Sequence, residues 1–181
     1  LSNNEQWILI LGDDDVLDSD FVSTFYNHQN QFEAESNVVR FSTIKIDKNG
    51  TIISEKYENP NIENAVDFLF RETRSSLSEY VFRKKNLLNT GFKNFPLAWH
   101  SDVLAVLEVA DFNKIYSINE AVVKIRISDE SISGSSTNMS KKLDATFQFY
   151  YYLLNFKSDF FTEDQRQILL HKLKNSYFHR K

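Results

Sequence analysis

The sequence predicts an α/β fold, with a mixed sheet flanked by helices and followed by C-terminal helices. Three observations support this class. An apolar run from Trp7 to Leu11 ends in three consecutive aspartates. The segment Val38 to Ile46 is rich in β-branched residues and is followed by an Asn-Gly turn. From Lys141 onward, two stretches carry apolar residues at helical spacing. Strand and helix signals mixed along one chain are typical of an α/β domain.

Length and composition set the limits of the interpretation. The 181 residues are 41% hydrophobic and 14% aromatic, which is enough for one well-packed domain with a helical extension; we expect residues 1–135 and 136–181, respectively. The net charge of -4 argues against a general nucleic-acid binder, because phosphate neutralisation needs a basic face. The absence of cysteine excludes disulfides, thiolate catalysis and cysteine-type zinc sites.

The first strand and the aspartates after it predict a cation site. An apolar run without alternation suggests a strand covered on both faces, as in a parallel sheet. Ligands of such sheets collect beyond the carboxyl ends of the strands, where Asp13, Asp14 and Asp15 fall. Adjacent carboxylates repel one another, and oxygen ligands suit Mg²⁺ or Mn²⁺. The alternative is a solvated acidic turn.

The segments between this strand and residue 100 alternate in type. We predict, in order, a helix from an Asp18–Asp20 cap to about Gln29, a strand over Val38–Ile46, a hairpin turn at Asp47–Gly50 with a return strand over Thr51–Tyr57, a helix over Ile62–Glu72, a strand over Ser78–Phe82 and a short turn at Asn86–Asn89.

The rest of the chain continues the same pattern. We predict a helix capped by Ser101 or Asp102, strands over Ile115–Ile118 and Ala121–Ile127, a loop over Ser128–Asn138, and helices over Lys141–Phe156 and Thr162–Phe178. Thr162 and Gln165 form a capping-box signature at the start of the last helix.

These segments together resemble the inverting glycosyltransferases of family 2, which have the GT-A fold and use nucleotide-sugar donors. Gly12 to Leu17 is similar to the metal-binding DxD motif and the helix that follows it. Trp99-His100-Ser101-Asp102 stands where the family carries an acidic pair that ends in its general base, and here Ser101 replaces the first acid. Val123–Ser128 and Ser131–Gly134 resemble the strand and loop that close over the donor diphosphate.

The resemblance implies a role for each candidate residue. Asp13 and Asp15 would contact the cation and the ribose, with Asp14 sharing that role, and Mg²⁺ or Mn²⁺ would stabilise the departing diphosphate. Asp102 would be the general base that removes the acceptor proton; a helix cap is the plainer interpretation. In the same way, Arg126 would pair with phosphate, or be an ordinary strand arginine. Trp99 and His100 would contact the acceptor, or simply pack.

The resemblance covers Trp7 to about Gly134 and only the second half of the family's catalytic domain, because the base-binding strands precede the DxD strand in that family. We therefore expect a fragment of a transferase that lacks half of the donor pocket and has negligible activity alone. The expected partners are a nucleotide sugar and a glycan or lipid-linked acceptor, with no nucleic acid. The expected location is the cytoplasm, at the inner face of the membrane.

Two further hypotheses remain open. One is a Mg²⁺-dependent nucleotidyltransferase. The chain has no P-loop pattern and no second acidic cluster, and both absences argue against this hypothesis. The other is a non-catalytic interaction module in which the aspartates are turn residues. In that case the aromatic C-terminal helices would form a partner surface. Under each of the hypotheses above, these helices are also candidates for homodimerisation or membrane docking.

Overall fold

A computed structural model describes residues 5–71, 75–127 and 138–178 of the chain. The chain divides into two compact units. The first unit comprises Leu1–Gly91 with Ala105–Ser128, and the second comprises Phe92–Leu104 with Asp129–Lys181. The predicted boundary at residue 135 lies outside the described residues, and the division into residues 1–135 and 136–181 stays a prediction.

The first unit contains a mixed sheet. In the described part of the chain its strands are β1 (Trp7–Leu9), β2 (Val16–Leu17), β3 (Val38–Ile46), β4 (Ile62–Asn64), β5 (Tyr80–Arg83) and β6 (Lys114–Arg126). The order across the sheet is β1-β5-β3-β6-β2, and β4 also pairs with β6. The β3–β6 pair is parallel and the other pairs are antiparallel. This curled, mixed sheet flanked by helices confirms the predicted α/β class.

The helices follow the predicted order with shifted boundaries. They are α1 (Phe21–Phe32), α2 (Ala65–Arg71), α3 (Lys84–Thr90), α4 (Ser101–Val109), α5 (Met139–Phe156) and α6 (Glu163–Phe178). The predicted turn at Asn86–Asn89 is wrong, because those residues belong to α3. The predicted helix start at Ile62 is also wrong, since Ile62–Asn64 pairs with β6 as a strand before α2 begins.

The prediction that the first strand is buried on both faces in a parallel arrangement is wrong for the described residues. β1 pairs only with β5 in that part of the chain, the pairing is antiparallel, and its three residues are half-buried. An uninterrupted apolar run does not distinguish a central strand from an edge strand, because neighbours on the sheet decide the position.

Two other strand predictions also differ from the structure. The strands predicted at Ile115–Ile118 and Ala121–Ile127 are one strand, β6, whose register against β3 shifts between Phe41 and Ser42. A shift of this kind accommodates Asn119, Glu120 and Ala121 without ending the strand. The return strand predicted over Thr51–Tyr57 forms only two isolated bridges to β3.

The core of the first unit lies between α1 and one face of the sheet. Phe21, Phe25 and Phe32 of α1 pack against buried side chains of β3, β5 and β6, namely Val39, Phe41, Val81, Tyr116, Ile118, Ala121, Val123 and Ile125. Trp7 of β1 packs against this cluster, edge-on to the ring of Phe25 at 5.6 Å. Burial of these aromatic and aliphatic surfaces fixes α1 over the sheet whose strands flank the aspartates.

The second unit is built on the packing of α5 against α6. Phe149 of α5 is buried and meets Phe95 edge-on at 6.3 Å. The capping box predicted for α6 is confirmed: the Thr162 backbone N–H donates to Gln165 Oε1 at 2.9 Å, and the Gln165 N–H donates to Thr162 Oγ1 at 3.3 Å. Among the described residues, we find no helix that is both long and apolar enough for a membrane span.

Candidate functional site

The three aspartates lie in the loop between β1 and β2, which we call the aspartate loop (Gly12–Asp15). Asp13 and Asp14 are exposed, whereas Asp15 is half-buried. Strand β2 pairs with the second half of β6 immediately after the loop. The loop is therefore held between two strands of the same sheet.

Both carboxylate oxygens of Asp15 accept hydrogen bonds from residues distant in sequence. The backbone N–H of Arg126 donates to Oδ1 at 3.0 Å, and the hydroxyl of Ser78 donates to Oδ2. The same Ser78 hydroxyl accepts a hydrogen bond from the Gly12 N–H at 2.9 Å. These contacts orient the Asp15 carboxylate and tie the first residue of the loop to the last.

Gly12 is required by this close packing. A Cβ added at position 12 would lie 2.9 Å from Asp15 Oδ2 and 3.3 Å from Ser78 Oγ. Because hydrogen bonds hold the Asp15 carboxylate in place, it has little freedom to move aside. The glycine therefore permits the close approach of the backbone to the carboxylate.

Ser78 is itself positioned by a buried ion pair. It lies in a short 3₁₀ turn, Leu77–Glu79, and the neighbouring Glu79 binds the Arg40 guanidinium of β3 at 2.8 Å. Arg40 and Glu79 are almost wholly buried, and the Arg40 guanidinium carbon lies 5.6 Å from the Tyr80 ring centroid. A buried pair with close hydrogen bonds fixes the geometry of the turn that carries Ser78.

The guanidinium of Arg126 fastens two loops to the end of β6. Its Nε donates to the carbonyl of Asp14 at 3.0 Å, and Nη1 donates to the carbonyl of Asp47 at 2.6 Å. Asp18, just beyond the aspartate loop, accepts from the Val122 N–H and from Lys124 Nζ, so its side chain does not cap α1 as predicted. The contact between Arg126 and a donor phosphate stays a prediction.

The aspartate loop is chemically suited to a divalent cation that also binds substrate. Within the described residues, no group of three or more acidic or histidine side chains is placed to hold a metal ion. Mg²⁺ and Mn²⁺ bound with a diphosphate need only one or two protein carboxylates, since phosphate oxygens and water complete the shell. Asp13 is exposed, and Asp15 keeps free lone pairs beside its two hydrogen bonds. The binding of such an ion by Asp13 and Asp15 stays a prediction.

The other candidates, Trp99, His100 and Asp102, lie in the second unit. Asp102 is half-buried in the first turn of α4. Ser101 is the first residue of α4, and its hydroxyl donates to the carbonyl of Lys93 at 2.7 Å. Ser101 is therefore not the predicted cap. Lys142 Nζ lies 4.9 Å from the Trp99 ring centroid and covers one face of the indole.

His100 is held by the aromatic side chains of α5. Its ring stacks on Phe149 with centroids 4.7 Å apart and 14° between the planes, and Nε2 lies 3.0 Å from Thr146 Oγ1. Burial lowers the pKa of His100 to about 4. The imidazole is therefore neutral at neutral pH.

The structure brings the sequence-predicted residues together in two sets. Asp14, Asp15 and Arg126 meet through hydrogen bonds in the first unit, and Trp99 and His100 meet through their rings, 5.7 Å apart, in the second. The loop predicted to close over the diphosphate, Ser131–Gly134, lies outside the described residues. Sequence reasoning missed Ser78 and Thr146, because a hydroxyl that bonds a partner 46 or more positions away leaves no local signal.

The fold is similar to that of S. aureus TarS, a glycosyltransferase. The chain aligns with TarS 1–349 in complex with UDP-GlcNAc at a TM-score of 0.65 and 13% identity, and with TarS 1–349 alone at 0.60 and 13%. It aligns with the longer TarS structure at 0.55 and 15%. Each alignment covers 96% of this chain and 49%, 47% and 28% of the TarS chains. No family model matches the sequence, and no curated protein matches it.

These similarities define the class of the fold. At 13–15% identity they show a glycosyltransferase-like architecture and nothing finer. The chain spans about half of the TarS 1–349 chain or less. The described residues thus form part of a glycosyltransferase-like fold, in which the aspartate loop connects the two strands at opposite edges of the sheet, β1 and β2.

Proposed function

We propose that this chain provides the cation-binding loop and the acceptor-side residues of an inverting, family 2 glycosyltransferase. The donor is a nucleotide diphosphate sugar, and the acceptor is a glycan or a lipid-linked sugar. The observation that carries the proposal is the aspartate loop, held in one conformation by Ser78 and the β6 backbone within a glycosyltransferase-like fold.

The proposed chemistry needs a cation and a general base. Asp13 and Asp15 hold Mg²⁺ or Mn²⁺, which neutralises charge on the departing diphosphate as a Lewis acid. Asp15 is oriented by the Ser78 hydroxyl and the Arg126 N–H, and Asp13 and Asp14 lie exposed beside it. Asp102 accepts the proton of the attacking acceptor hydroxyl. A carboxylate must be ionised to act as a base. Asp102 lies in the first turn of α4, where the positive end of the helix dipole stabilises an ionised carboxylate.

The 181 residues alone are proposed to have negligible transfer activity. The chain covers 49% of the TarS 1–349 chain that is seen with UDP-GlcNAc, so about half of that chain has no counterpart here. The proposed location is the cytoplasm at the inner face of the membrane. Exposed aromatic side chains of α5 and α6, such as Tyr151, Phe156 and Phe178, would provide the surface for a dimer or for membrane docking.

The test is calorimetric binding of UDP-GlcNAc, with and without Mn²⁺, together with release of UDP, in the natural protein that carries this sequence. We expect Asp13→Asn to weaken the Mn²⁺-dependent part of binding by about tenfold or more. Asp102→Asn should lower turnover by about 10² or more and leave donor binding unchanged, because the base acts on the acceptor.

Asp20→Asn is the matched control. Asp20 is an exposed acid at the start of α1 whose side chain makes no capping hydrogen bond, so its loss should change neither quantity. Binding of UDP-GlcNAc that is independent of Mn²⁺ and of Asp13 would contradict the cation site. Sugar transfer catalysed by residues 1–181 alone would contradict the proposed inactivity of this segment.

A further inference from the structure

The segment before α4 holds several residues in an unfavourable backbone conformation. Leu97, Ala98 and His100 have φ angles of 60°, 53° and 67°, in the left-handed region that side chains other than glycine rarely occupy. We call Leu97–His100 the strained turn. Such strain persists only where surrounding contacts enforce it, and it concentrates at sites that bind ligands or perform chemistry.

Contacts within the second unit enforce the strained turn. The Ala98 N–H donates to the carbonyl of Phe95 at 2.9 Å, and the Ser101 hydroxyl donates to the carbonyl of Lys93 at 2.7 Å. The His100 ring lies flat on Phe149 of α5 and edge-on to Trp99. The backbone strain and these contacts together fix one orientation of the imidazole.

The hydrogen bonds of Thr146 determine which ring nitrogen of His100 carries the proton. The Thr146 hydroxyl donates its single hydrogen to the carbonyl of Lys142 at 2.8 Å. Oγ1 can therefore only accept from His100, whose Nε2 lies 3.0 Å away. In the neutral imidazole Nε2 is then the donor, and Nδ1 has an unshared electron pair.

The Nδ1 atom of His100 is left as an acceptor. No group in the described part of the chain donates a hydrogen bond to it. Because burial lowers the pKa of His100 to about 4, Nδ1 stays unprotonated at neutral pH. A neutral acceptor pairs with an O–H or N–H donor and repels the oxygens of a phosphate diester, which have no proton to give.

We propose that His100 Nδ1 is the hydrogen-bond acceptor for a hydroxyl of an uncharged sugar ligand, and that this position does not bind a phosphate diester. The identification of that sugar as the acceptor of the transfer reaction rests on the proposed function. The half-buried ring of Trp99 beside the imidazole provides an aromatic surface that sugar C–H groups favour. His100 is in this sense a residue that selects the acceptor.

The competing interpretation is an anion site. Lys142 places a positive charge 4.9 Å from the Trp99 ring centroid, and a cation of this kind could attract a phosphate. The two interpretations predict opposite protonation of His100. A phosphate beside it would draw a proton onto Nδ1, whereas a sugar hydroxyl would leave the ring neutral.

Imidazole ¹H–¹⁵N NMR on the ¹⁵N-labelled 181-residue chain distinguishes them. The His100 signals are those lost in His100→Asn. We expect the neutral Nε2–H form at pH 7 and at pH 5. Methyl β-glucoside should shift the Nδ1 resonance saturably, and dimethyl phosphate, an anion without an O–H group, should not. A neutral Nδ1–H form, a shift or protonation caused by dimethyl phosphate, or no response to the glycoside would each overturn the proposal.

Thr146→Val provides a second variant that keeps the size of the side chain. It removes the acceptor for Nε2–H, so we expect a mixture of neutral tautomers and a smaller shift with methyl β-glucoside. Thr24→Val in α1 is the control and should leave the His100 spectrum unchanged. An unchanged spectrum in Thr146→Val would contradict the tautomer assignment.

These spectra need no nucleotide sugar, cation or turnover. A failure of the proposed glycosyl transfer would therefore leave them unaffected. Where transfer is measured in the natural protein, His100→Asn should raise KM for the sugar acceptor about tenfold and leave KM for the donor unchanged. Equal effects on both KM values would show that His100 has only a structural role.

Discussion

The aspartate loop and the strained turn both hold polar side chains in fixed positions, but they use different forces. In the aspartate loop, hydrogen bonds from the β6 backbone and from Ser78 orient Asp15, and a glycine removes the steric conflict. In the strained turn, residues with side chains occupy the left-handed region, and aromatic packing holds His100. The comparison teaches that a charged group is held by donors, whereas a neutral one is held by burial and stacking.

The largest expected effect concerns the charge state of His100. Its pKa in the folded chain, about 4, lies below the ordinary value of 6.5, so between these values the unfolded chain binds more protons. The free energy of unfolding should therefore fall as the pH drops from 6.5 to 4, with a contribution on the order of 2–3 kcal/mol. Urea unfolding at several pH values measures it.

The control for this pH series is His100→Gln, which has no titrating group at position 100. The difference between the two pH profiles isolates the contribution of His100 from that of the carboxylates that titrate in the same range. Parallel profiles for the two proteins would show that the imidazole is not held in its neutral form. The conclusion that burial and stacking hold His100 in the strained turn would then be wrong.

Gly12→Ala should give the next largest effect. The added methyl group would lie 2.9 Å from Asp15 Oδ2, so either the carboxylate or the backbone must move, at a cost of about 2 kcal/mol. Urea unfolding measures this loss. Gly12→Ala in a Ser78→Ala background should cost less, because Asp15 is then free to turn away, and additive losses would contradict the tight packing of the loop.

Ser78→Ala tests the hydrogen bonds of the aspartate loop directly. The substitution removes the donor to the Asp15 carboxylate and the acceptor for the Gly12 N–H, at a cost of about 1–2 kcal/mol. Ser23→Ala is the control, since that exposed hydroxyl bonds only a carbonyl within its own helix start. Equal losses of unfolding free energy in the two variants would mean that Ser78 does not position Asp15.

Ala98→Gly should give the smallest effect and the opposite sign. Glycine adopts φ of 53° without steric cost, so strain is relieved, while the unfolded chain gains entropy that offsets part of the gain. We expect a net stabilisation of about 0.5 kcal/mol by urea unfolding. Ala34→Gly, at an exposed position without a positive φ, should be neutral or destabilising. Destabilisation by Ala98→Gly would show that the turn is not strained.

Much of the fold could be predicted, because local patterns carry it. The β-branched content of Val38–Ile46 and the apolar spacing around Phe21 and Phe25 predicted β3 and α1, and the structure confirms both. The wrong predictions concern elements whose position depends on pairing with distant strands. The apolar run Trp7–Leu9 is compatible with a central or an edge strand, and its antiparallel pairing with β5 depends on residues more than 70 positions away.

The candidate site was predictable only in part. The aspartate triplet and Trp99-His100-Ser101-Asp102 were found from the sequence because carboxylates and imidazole are chemically conspicuous. Ser78 was not found, since one serine in a short 3₁₀ turn has no distinguishing pattern. Its function depends on the distance to Asp15, which the sequence does not contain.

By itself, the sequence determined the α/β class, the order of most elements and the identity of the polar groups. Hydrophobic periodicity, turn residues and side-chain chemistry are local properties, so each is encoded within a few neighbouring positions. The tertiary structure alone decided which oxygen of Asp15 each donor binds, which nitrogen of His100 carries the proton, and which residues occupy the left-handed region. These depend on contacts between distant segments, because packing and hydrogen bonding there offset local preference.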